Sequence, residues 1–526
     1  MTGAFTMAKD KPAKPKHRGP HVTIRMYCQG LGDCFLLTFV TDADKEPVRV
    51  LIDCGVLQHT PGEAAKMRQV ADDLGKETGG HIDLLVITHE HWDHVAGFSH
   101  AQNVFKDFTF DRVWLSWAEN VDDPDARAVK ADLGKKKKKL TAAFKAIGAR
   151  LKAAADKRSA EYLERDLAAA ETLLGFFGPA ETSTAIAPAA APRAGKKAKK
   201  AAEQAMSLGD TMDWLRTKVR PGDWCSPGER RPLPGAADVN VYVLGPPRSV
   251  ASIRKMDPSG DQGYKLKADR DSLFGAIDWL TGEAEEATGP FGEPYRVSTA
   301  DARTDPFFRE MYGFADDPLG DAGQAWRRID DEWLGGISRL ALQLDTGVNN
   351  TSLALAFELP DGRTLIFPGD AQIGNWLSWD NLKFKTPAGE PVTAKDLLHR
   401  AVFYKVGHHG SHNATRKVGG LEEMTGGELV AMIPTDEKFA LKQSPPHGWK
   451  MPFTKLYAAL KTHTRFRILR ADRGEEELAP PDGDVSSALW DSFTGRVTFS
   501  GDKLERDASE KGAKDQPLYV EYTIPT

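Results

Sequence analysis

The 526-residue sequence has few cysteines, namely Cys28, Cys34, Cys54 and Cys225, and no two of them form a CxxC pair. Three lie in segments that predict β-strands, so we expect buried free thiols and no disulfide framework. No apolar run reaches the roughly 18 residues that a membrane-spanning helix needs. Residues 1–20 are basic and lack an apolar core, which predicts a disordered tail instead of a secretory signal. These absences favour a reducing cytoplasm.

An excess of one sign of charge is also lacking. Seventy basic and 75 acidic residues give a net charge of −5, so any affinity for nucleic acid must come from a local patch. The composition, 40% hydrophobic and 28% charged, is typical of a globular protein. The length allows two to four domains, or one domain with large insertions.

Apolar and β-branched segments predict strands in two groups. They are residues 21–28, 34–40, 48–54, 83–88, 112–117, 239–245, 352–359, 364–367, 401–406, 429–434, 466–470, 497–500 and 518–522. The runs at 48–54 and 83–88 are nearly continuous, which suits strands buried on both faces. A helix is predicted over residues 62–75. Interleaved helices and two strand groups indicate an α/β or α+β sandwich.

Changes of composition divide the chain into six parts. They are a basic tail (1–20), the first half of a core domain (21–120), a basic helical insertion with a linker (121–236), a returning core strand (237–247), an acidic loop-rich insertion (248–340) and the second half of the core (341–526). In the first insertion, apolar residues at helical spacing predict an αα-hairpin, and residues 182–200 predict a flexible linker.

The most informative segment is Thr88-His89-Glu90-His91-Trp92-Asp93-His94, which follows a predicted strand. A tight loop after the strand can turn His89 and His91 toward one point, and Asp93 and His94 toward a neighbouring one. Imidazole and carboxylate ligands suit zinc, manganese or iron, and two adjacent divalent ions can clamp both sides of a displacement. The alternative is a polar loop with chance histidines.

The order of the motifs resembles that of the metallo-β-lactamase fold. His-x-His-x-Asp-His follows a strand and is preceded by Leu51-Ile52-Asp53-Cys54-Gly55, while Phe367-Pro368-Gly369-Asp370 and Lys405-Val406-Gly407-His408-His409-Gly410-Ser411 end later strands. The resemblance covers roughly residues 21–120 and 239–470. It implies a four-layered αββα sandwich, interrupted here by the two insertions.

Two further motifs, Gly30-Leu31-Gly32-Asp33-Cys34 and Asn349-Asn350-Thr351-Ser352-Leu353, are similar to those of the ComEC-type domain from DNA-uptake proteins. That likeness implies a metal-dependent hydrolase, with nuclease activity as the leading assignment. The chain lacks the ComEC membrane channel. It also has Pro445-Pro446-His447-Gly448 where the family has Gly-His-Pro.

The resemblance implies one or two divalent ions, zinc or manganese, with magnesium possible. The implied ligands are His89, His91, Asp93, His94, Asp370 and His408. Asp370 would bridge two ions, and Asp93 would also orient the nucleophile. The second ion, or His447 as an acid, would stabilise the leaving oxygen. No histidine lies between His100 and His399, so the third histidine usual for the first ion is missing. We therefore expect the His89/His91 site to bind its ion weakly.

Other motif residues are expected around these ligands, and they are Asp33, Asp53, Asn350, Ser352, His409 and Ser411. Asp33 and Asp53 would orient imidazoles, although capping a turn or strand is an equally good role for each. His409 would face the substrate. A divalent ion lowers the pKa of bound water from about 16 toward 7, and the resulting hydroxide would attack phosphorus.

The first insertion is strongly basic. Residues 130–158 carry eleven basic and two acidic residues, including Lys135, Lys136, Lys137, Lys138 and Lys139, and residues 193–200 add a second cluster. Such density favours a polyanion through phosphate contacts and counterion release, without sequence preference. We expect this helix to lie away from the metal site. The alternative is a solvated helix face followed by a lysine-rich linker.

Together these features predict a metal-dependent hydrolase, a phosphodiesterase or nuclease acting on DNA or RNA. One alternative is a small-molecule hydrolase of a cyclic or lipid phosphodiester or a lactone. Another is a non-catalytic module whose helical insertion docks a protein partner such as an ATPase or helicase. An inactive pseudo-enzyme is disfavoured because every other implied ligand is present.

Overall fold

The structure is a computed structural model that describes residues 19–42, 45–153, 171–178, 206–255, 301, 304–312, 335–443, 448–480, 485–510 and 514–526. Within helices, the side chains of residues 143–153 and 335–340 are outside the description. Two large sheets flanked by helices make the protein a mixed α/β structure. Among the described helices, none combines the length and the apolar character that crossing a membrane requires.

The first sheet has eight strands in the order β16-β17-β1-β2-β3-β4-β5-β6. Their bounds are β1 His21–Tyr27, β2 Cys34–Val40, β3 Val48–Cys54, β4 His81–Val86, β5 Thr109–Ser116, β6 Trp224–Cys225, β16 Val497–Phe499 and β17 Tyr519–Pro525. Strands β3 to β6 are parallel, and the other pairs are antiparallel. The C-terminal strand therefore pairs with the first strand of the chain.

The second sheet has seven strands in the order β15-β14-β13-β10-β9-β8-β7. Their bounds are β7 Arg230–Leu233, β8 Ala236–Gly245, β9 Ala354–Glu358, β10 Thr364–Phe367, β13 Ala401–Lys405, β14 Val430–Ile433 and β15 Ile468–Arg470. Strands β10, β13, β14 and β15 are parallel. A separate ribbon pairs β11 Lys383–Lys385 with β12 Pro391–Thr393.

The described helices flank these sheets or belong to the insertions. They are α1 Glu63–Thr78, α2 Trp92–His100, α3 Gln102–Phe105, α4 Pro124–Ala153, α5 Leu208–Arg216, α6 Val250–Ile253, α7 Pro306–Tyr312, α8 Gly335–Asn349, α9 Ile373–Ser378, α10 Ala394–His399, α11 Glu437–Ala440, α12 Thr454–Thr464 and α13 Ser487–Thr494. Helices α4 and α8 approach closely at Gly347 of α8. A Cβ added at this position would lie only 2.8 Å from Cδ2 of Leu133 in α4.

Three buried apolar clusters hold the molecule together. Between the two sheets, the rings of Phe35 and Phe367 lie 5.8 Å apart, edge to face. The other face of the first sheet packs on helices including α1 and α2, and the other face of the second sheet packs on helices including α9, α10 and α12. Strand β3 contributes to two clusters, with Val50 and Ile52 in the one between the sheets and Leu51 in the outer one. Its predicted burial on both faces is confirmed.

Every strand predicted from the sequence is present, and the predicted helix at 62–75 is α1, Glu63–Thr78. The four cysteines are buried free thiols, also as predicted. The sequence patterns missed β6, β7, β11 and β12. Strand β6 has only two residues, and β7 reads Arg-Arg-Pro-Leu at a sheet edge. Short, polar and proline-containing edge strands lack the apolar periodicity by which strands are recognised.

The predicted boundaries of the insertions need correction. Residues 224–233, assigned to the helical insertion, provide one strand to each sheet. Helix α8 begins inside the stretch assigned to the acidic insertion, and its buried end leads directly into β9. The predicted linker at 182–200, residues 1–18 of the tail and most of the acidic insertion lie outside the described residues.

Candidate metal centre

Four strands deliver the predicted ligands to one place. Parallel β3 and β4 end beside Asp53 and the His-x-His-x-Asp-His loop, while parallel β10 and β13 end beside Asp370 and His409. The two sheets meet here, because Leu353 N, just before β9, donates to Thr88 O at 2.8 Å. Loops after the carboxyl ends of parallel strands are the usual ligand-binding edge of α/β proteins.

A glycine allows the close packing of these loops. A Cβ added to Gly55 would lie 2.2 Å from the carbonyl carbon of Asp93. Asp33 N donates to Asp93 O at 3.0 Å, and Gly55 N donates to Asp33 O at 2.9 Å. The three motifs that contain Asp33, Asp53 and Asp93 are therefore joined through their backbones.

Five of the predicted ligands come together in the protein interior. His89, His91, Asp93, His94 and Asp370 are each at most 1% exposed. His94 Nε2 lies 3.2 Å from Asp370 Oδ2 and 3.7 Å from Asp93 Oδ2. The ring of His89 lies 4.2 Å from that of His94 and 4.8 Å from that of His91, between centroids. The predicted convergence of the two halves of the motif is observed.

The sixth predicted ligand, His408, gives way to its neighbour His409. His409 Nε2 lies 2.8 Å from Asp93 Oδ2 and 3.7 Å from Asp370 Oδ2. His408 instead lies with Nδ1 2.8 Å from Ser411 Oγ and with Nε2 3.4 Å from Asn349 Nδ2. Both histidines have positive φ, 43° and 54°, and this tight turn decides which ring faces the aspartates. His409, which was predicted to face the substrate, thus has its Nε2 toward Asp93 and Asp370.

Hydrogen bonds orient three imidazoles. His94 Nδ1 donates to Asp53 Oδ2 at 2.8 Å, and His409 Nδ1 donates to Pro434 O at 2.7 Å. Both rings are therefore left with Nε2 toward Asp93 and Asp370. His89 Nδ1 lies 3.1 Å from Thr88 Oγ1 and 3.3 Å from Ser352 Oγ. Such contacts select the tautomer of a metal-binding histidine.

Of the two aspartates predicted to orient imidazoles, Asp53 does so directly. It also accepts from Thr88 N at 2.8 Å and from Thr88 Oγ1 at 2.7 Å. Asp33 forms an ion pair with Lys405, whose Nζ also lies 3.1 Å from Asp370 Oδ1. Asp33 faces the Nδ1 edges of His94 and His409, 3.8 Å from each. Lys405 is thus a site residue, although no individual role for it was predicted from its motif.

The remaining predicted neighbours divide into two kinds. Ser352 Oγ accepts from Asp370 N at 3.1 Å besides contacting His89, and Ser411 contacts His408. Asn350 does not contact the ligands. Its amide donates to Ile253 O and Lys255 O, each at 3.0 Å, so it holds a neighbouring loop. His447 lies outside the described residues.

Sequence reasoning missed Asp345 in helix α8, which is 1% exposed. Its Oδ1 lies 3.9 Å from His91 Nδ1, and its Oδ2 accepts from Asn349 Nδ2 at 3.0 Å. The only available signal was the four-residue spacing of Asp345 and Asn349, which places them on one helix face. That helix leads out of the low-complexity acidic stretch, where no motif drew attention to it.

Burial and neighbouring charges set the protonation of the site. Burial lowers the pKa of His91 to about 3 and that of His408 to about 4. Burial also lowers the pKa of His94, but Asp370 and Asp93 outweigh it and raise the value well above normal. Burial raises the pKa of Asp370, but Lys405 and His94 outweigh it and hold the value well below normal. Burial, with Asp93 and Asp370, raises the pKa of Asp345 well above normal.

The unsatisfied atoms of the cluster match what a metal ion requires. Seven buried atoms of the cluster accept or donate no hydrogen bond within the described part of the chain, and they are Asp33 Oδ1, His89 Nε2, His91 Nε2, Asp93 Oδ1, His94 Nε2, Asp345 Oδ1 and Asp370 Oδ2. Each such atom costs about 1–3 kcal/mol when left without a partner. One ligand atom from each of Asp33, His94, Asp370 and His409 lies within 4.8 Å of the others. Imidazole nitrogens with carboxylate oxygens suit a divalent transition-metal ion.

The basic insertion packs directly on this site. Lys130 Nζ of α4 donates to Glu90 Oε2 at 2.6 Å, inside the histidine motif, and to Glu119 Oε1 at 2.7 Å. Phe176 and Phe177 lie 5.3 and 5.1 Å from the His91 ring, between centroids. Lys137 Nζ lies 5.2 Å from the Phe177 ring centroid. The expectation that the basic helix lies away from the metal site is wrong.

Comparison of the chain with models of known protein families, with curated proteins and with solved structures gives no match.

Proposed function

We propose that this chain is a metal-dependent phosphodiesterase of the metallo-β-lactamase type that cleaves nucleic acid. The convergence of His89, His91, Asp93, His94, Asp370 and His409, with buried atoms free of hydrogen bonds, carries the proposal. The packing of helices on the outer faces of two apposed sheets supports the four-layered αββα arrangement. The candidate site at the carboxyl ends of β3, β4, β10 and β13 is consistent with it.

The charge balance of the cluster favours a bound cation. Five buried carboxylates, of Asp33, Asp53, Asp93, Asp345 and Asp370, lie around the histidines, and Lys405 contacts two of them. Burying so many carboxylates together is unfavourable, and without an ion the site holds protons, as the raised pKa values of Asp345 and His94 indicate. Divalent ions would take the place of these protons.

Two groups of residues would hold these ions. Asp93, His94, Asp370 and His409 would hold one, and His89 with His91 would hold the second, with Asp370 reaching both. A divalent ion supplies Lewis acidity toward a phosphoryl oxygen and acidifies bound water. The chain itself orients the two rings. Asp53 holds a proton on His94 Nδ1, and the Pro434 carbonyl holds a proton on His409 Nδ1.

The position of helix α4 supports a polyanionic substrate. Two of its lysines lie beside the site. Lys130 contacts Glu90 in the histidine motif, and Lys137 lies over the ring of Phe177, which contacts His91. Lys135 and Lys138 are exposed. A strand of nucleic acid that enters the site would therefore pass positive charge, which attracts phosphates independently of sequence.

A small-molecule hydrolase is the second candidate. The rings of Phe176 and Phe177, which cover His91, favour it. Phe176 stacks on Trp449 at 5.6 Å between centroids, and Phe176 and Phe177 are 2% and 3% exposed over His91. Such a cover admits a small phosphodiester or lactone more readily than a long polymer.

Activity screening of the purified full-length chain tests both candidates. The substrates are single- and double-stranded DNA, RNA, bis-p-nitrophenyl phosphate and a lactone, each with Mn²⁺, Mg²⁺ or Zn²⁺. We expect metal-dependent cleavage of nucleic acid that Asp370→Ala and His94→Ala abolish. His399→Ala is the control, since this partly exposed ring pairs with Glu423. Cleavage of small substrates alone supports the second candidate, and the lack of both activity and metal binding overturns the proposal.

A further inference from the structure

We propose that Asp345 is the missing third ligand of the His89/His91 site, and that its carboxylate lowers the preference of this site for Zn²⁺ over Mn²⁺ relative to a three-histidine site. The inference rests on the proposed metal centre and completes it. It assigns to helix α8 a metal-binding residue where most di-metal relatives of the fold would use a histidine.

The spacing of the ligand atoms permits a shared ion. Asp345 Oδ1 lies 3.9 Å from His91 Nδ1. Two atoms bound to one ion at about 2.0–2.2 Å can be at most about 4.4 Å apart. The rings of His91 and His89 lie 4.8 Å apart between centroids, so His89 lies next to the histidine that Asp345 approaches.

The carboxylate has one held oxygen and one free oxygen. Oδ2 accepts from Asn349 Nδ2 at 3.0 Å, whereas Oδ1 has no hydrogen-bond partner among the residues described. His89 Nε2 is also buried and without such a partner in the same part of the structure. A carboxylate oriented through one oxygen while the other binds is the usual arrangement at a metal ion.

Packing holds Asp345 in place. The neighbouring Leu344 and Val348 are each 1% exposed and belong to the apolar cluster outside the first sheet. The close approach of Gly347 to Leu133 anchors the same turn of α8 on α4. Asp345 and Asn349 therefore lie on a helix face that cannot turn away from His91 and His408.

Replacing an imidazole by a carboxylate lowers the ratio of Zn²⁺ affinity to Mn²⁺ affinity. Carboxylate oxygen suits Mn²⁺ and Mg²⁺, while imidazole suits Zn²⁺. A site with His89, His91 and Asp345 has one oxygen more and one nitrogen less than a three-histidine site. Restoring histidine at position 345 should therefore move the selectivity toward zinc.

Metal binding by the full-length chain tests this without any activity assay. We would count bound Mn²⁺ from the electron paramagnetic resonance signal of the free ion, and measure Zn²⁺ affinity by competition with a chelator. Wild type should bind two Mn²⁺ per chain. Asp345→Ala and Asp345→Asn should keep one and bind the other about tenfold or more weakly. Asp345→His should bind two ions, with the Zn²⁺-to-Mn²⁺ affinity ratio raised about tenfold or more.

The control is Asp223→Asn, which removes a buried carboxylate that pairs with Arg112 instead of the site. Its metal binding should equal that of wild type. If wild type binds no ion, the proposed function and this inference both fail. If wild type binds ions that Asp370→Ala loses, but Asp345→Ala binds them as wild type does, only this inference is overturned. Should Asp345→Ala not fold, an unchanged metal ratio in Asp345→His overturns it.

Discussion

His94 Nδ1 donates a hydrogen bond of 2.8 Å to Asp53 Oδ2 across 41 residues of sequence. Asp53, the last but one residue of strand β3, has a positive φ of 57°. This conformation is uncommon for a residue other than glycine and is often found at functional sites. This contact turns His94 Nε2 toward Asp370, 3.2 Å away. The strained strand end thus orients a ligand of the proposed metal centre.

Asp53→Asn should therefore weaken metal binding while leaving the fold intact. Thr88 N, which donates to Asp53 Oδ1, would hold the amide oxygen in that place, so the amide NH₂ would replace Oδ2, face His94 Nδ1 and move the ring proton to Nε2. Loss of such an orienting carboxylate typically costs about 10–100-fold in metal affinity, and Mn²⁺ titration measures it. Asp83→Asn is the control, because Asp83 accepts from Arg49 N at 2.7 Å near the start of β4. Equal affinities in the two variants would contradict this role.

Lys405→Met should destabilise the protein when no metal is added. Lys405 is 1% exposed and pairs with Asp33 and Asp370. Removing one partner of a buried ion pair costs about 3–5 kcal/mol, because the other charge stays buried. Urea unfolding measures the loss, and added Mn²⁺ should recover part of it. The exposed Lys395→Met should unfold like wild type, and a Lys405→Met curve that matches it would refute the prediction.

His100 should contribute a loss of stability in mild acid. Burial lowers its pKa in the folded chain to about 4, so between about pH 6.5 and 4 the unfolded chain binds more protons at this group. Its contribution to the free energy of unfolding then decreases as pH falls, by up to about 3 kcal/mol. Glu63, 3.8 Å away, acts in the opposite direction, because burial raises its pKa to about 7 and the folded chain therefore binds more protons at Glu63 as pH falls.

His100→Gln isolates this effect. The difference in unfolding free energy between wild type and the variant should be constant above about pH 6.5 and should shift against wild type below it. Thermal or urea unfolding across pH 4 to 8 measures the difference. A difference independent of pH would contradict the buried neutral histidine.

Exposed lysines of α4 should contribute to nucleic-acid affinity. Lys135 and Lys138 are exposed, and each phosphate contact contributes about −0.9 to the slope of log K against log salt on duplex DNA. Their joint replacement by alanine should reduce the slope by about 1.8 for all sequences alike. Lys383 and Lys385 of β11, also exposed, provide the matched control pair. An unchanged slope would remove the nucleic-acid contact and favour protein docking through this helix.

Much of the fold was predictable because its central strands are strongly apolar. Strand β3 alternates between two clusters, and this requires apolar residues at nearly every position. An edge strand such as β7 has fewer positions that must be apolar, so its sequence can contain two arginines and a proline. The boundaries of the insertions were misplaced for the same reason.

The chemistry of the candidate site can be inferred from the sequence, since His89, His91, Asp93 and His94 lie within six consecutive residues. The distant side chains that complete the site are known only from the folded chain. The choice between His408 and His409 depends on a turn with positive φ at both residues. The contacts of Asp345 and Lys405 depend on which helix and which strand reach the site. These relationships join residues far apart in the chain, and packing between layers specifies them where local sequence patterns cannot.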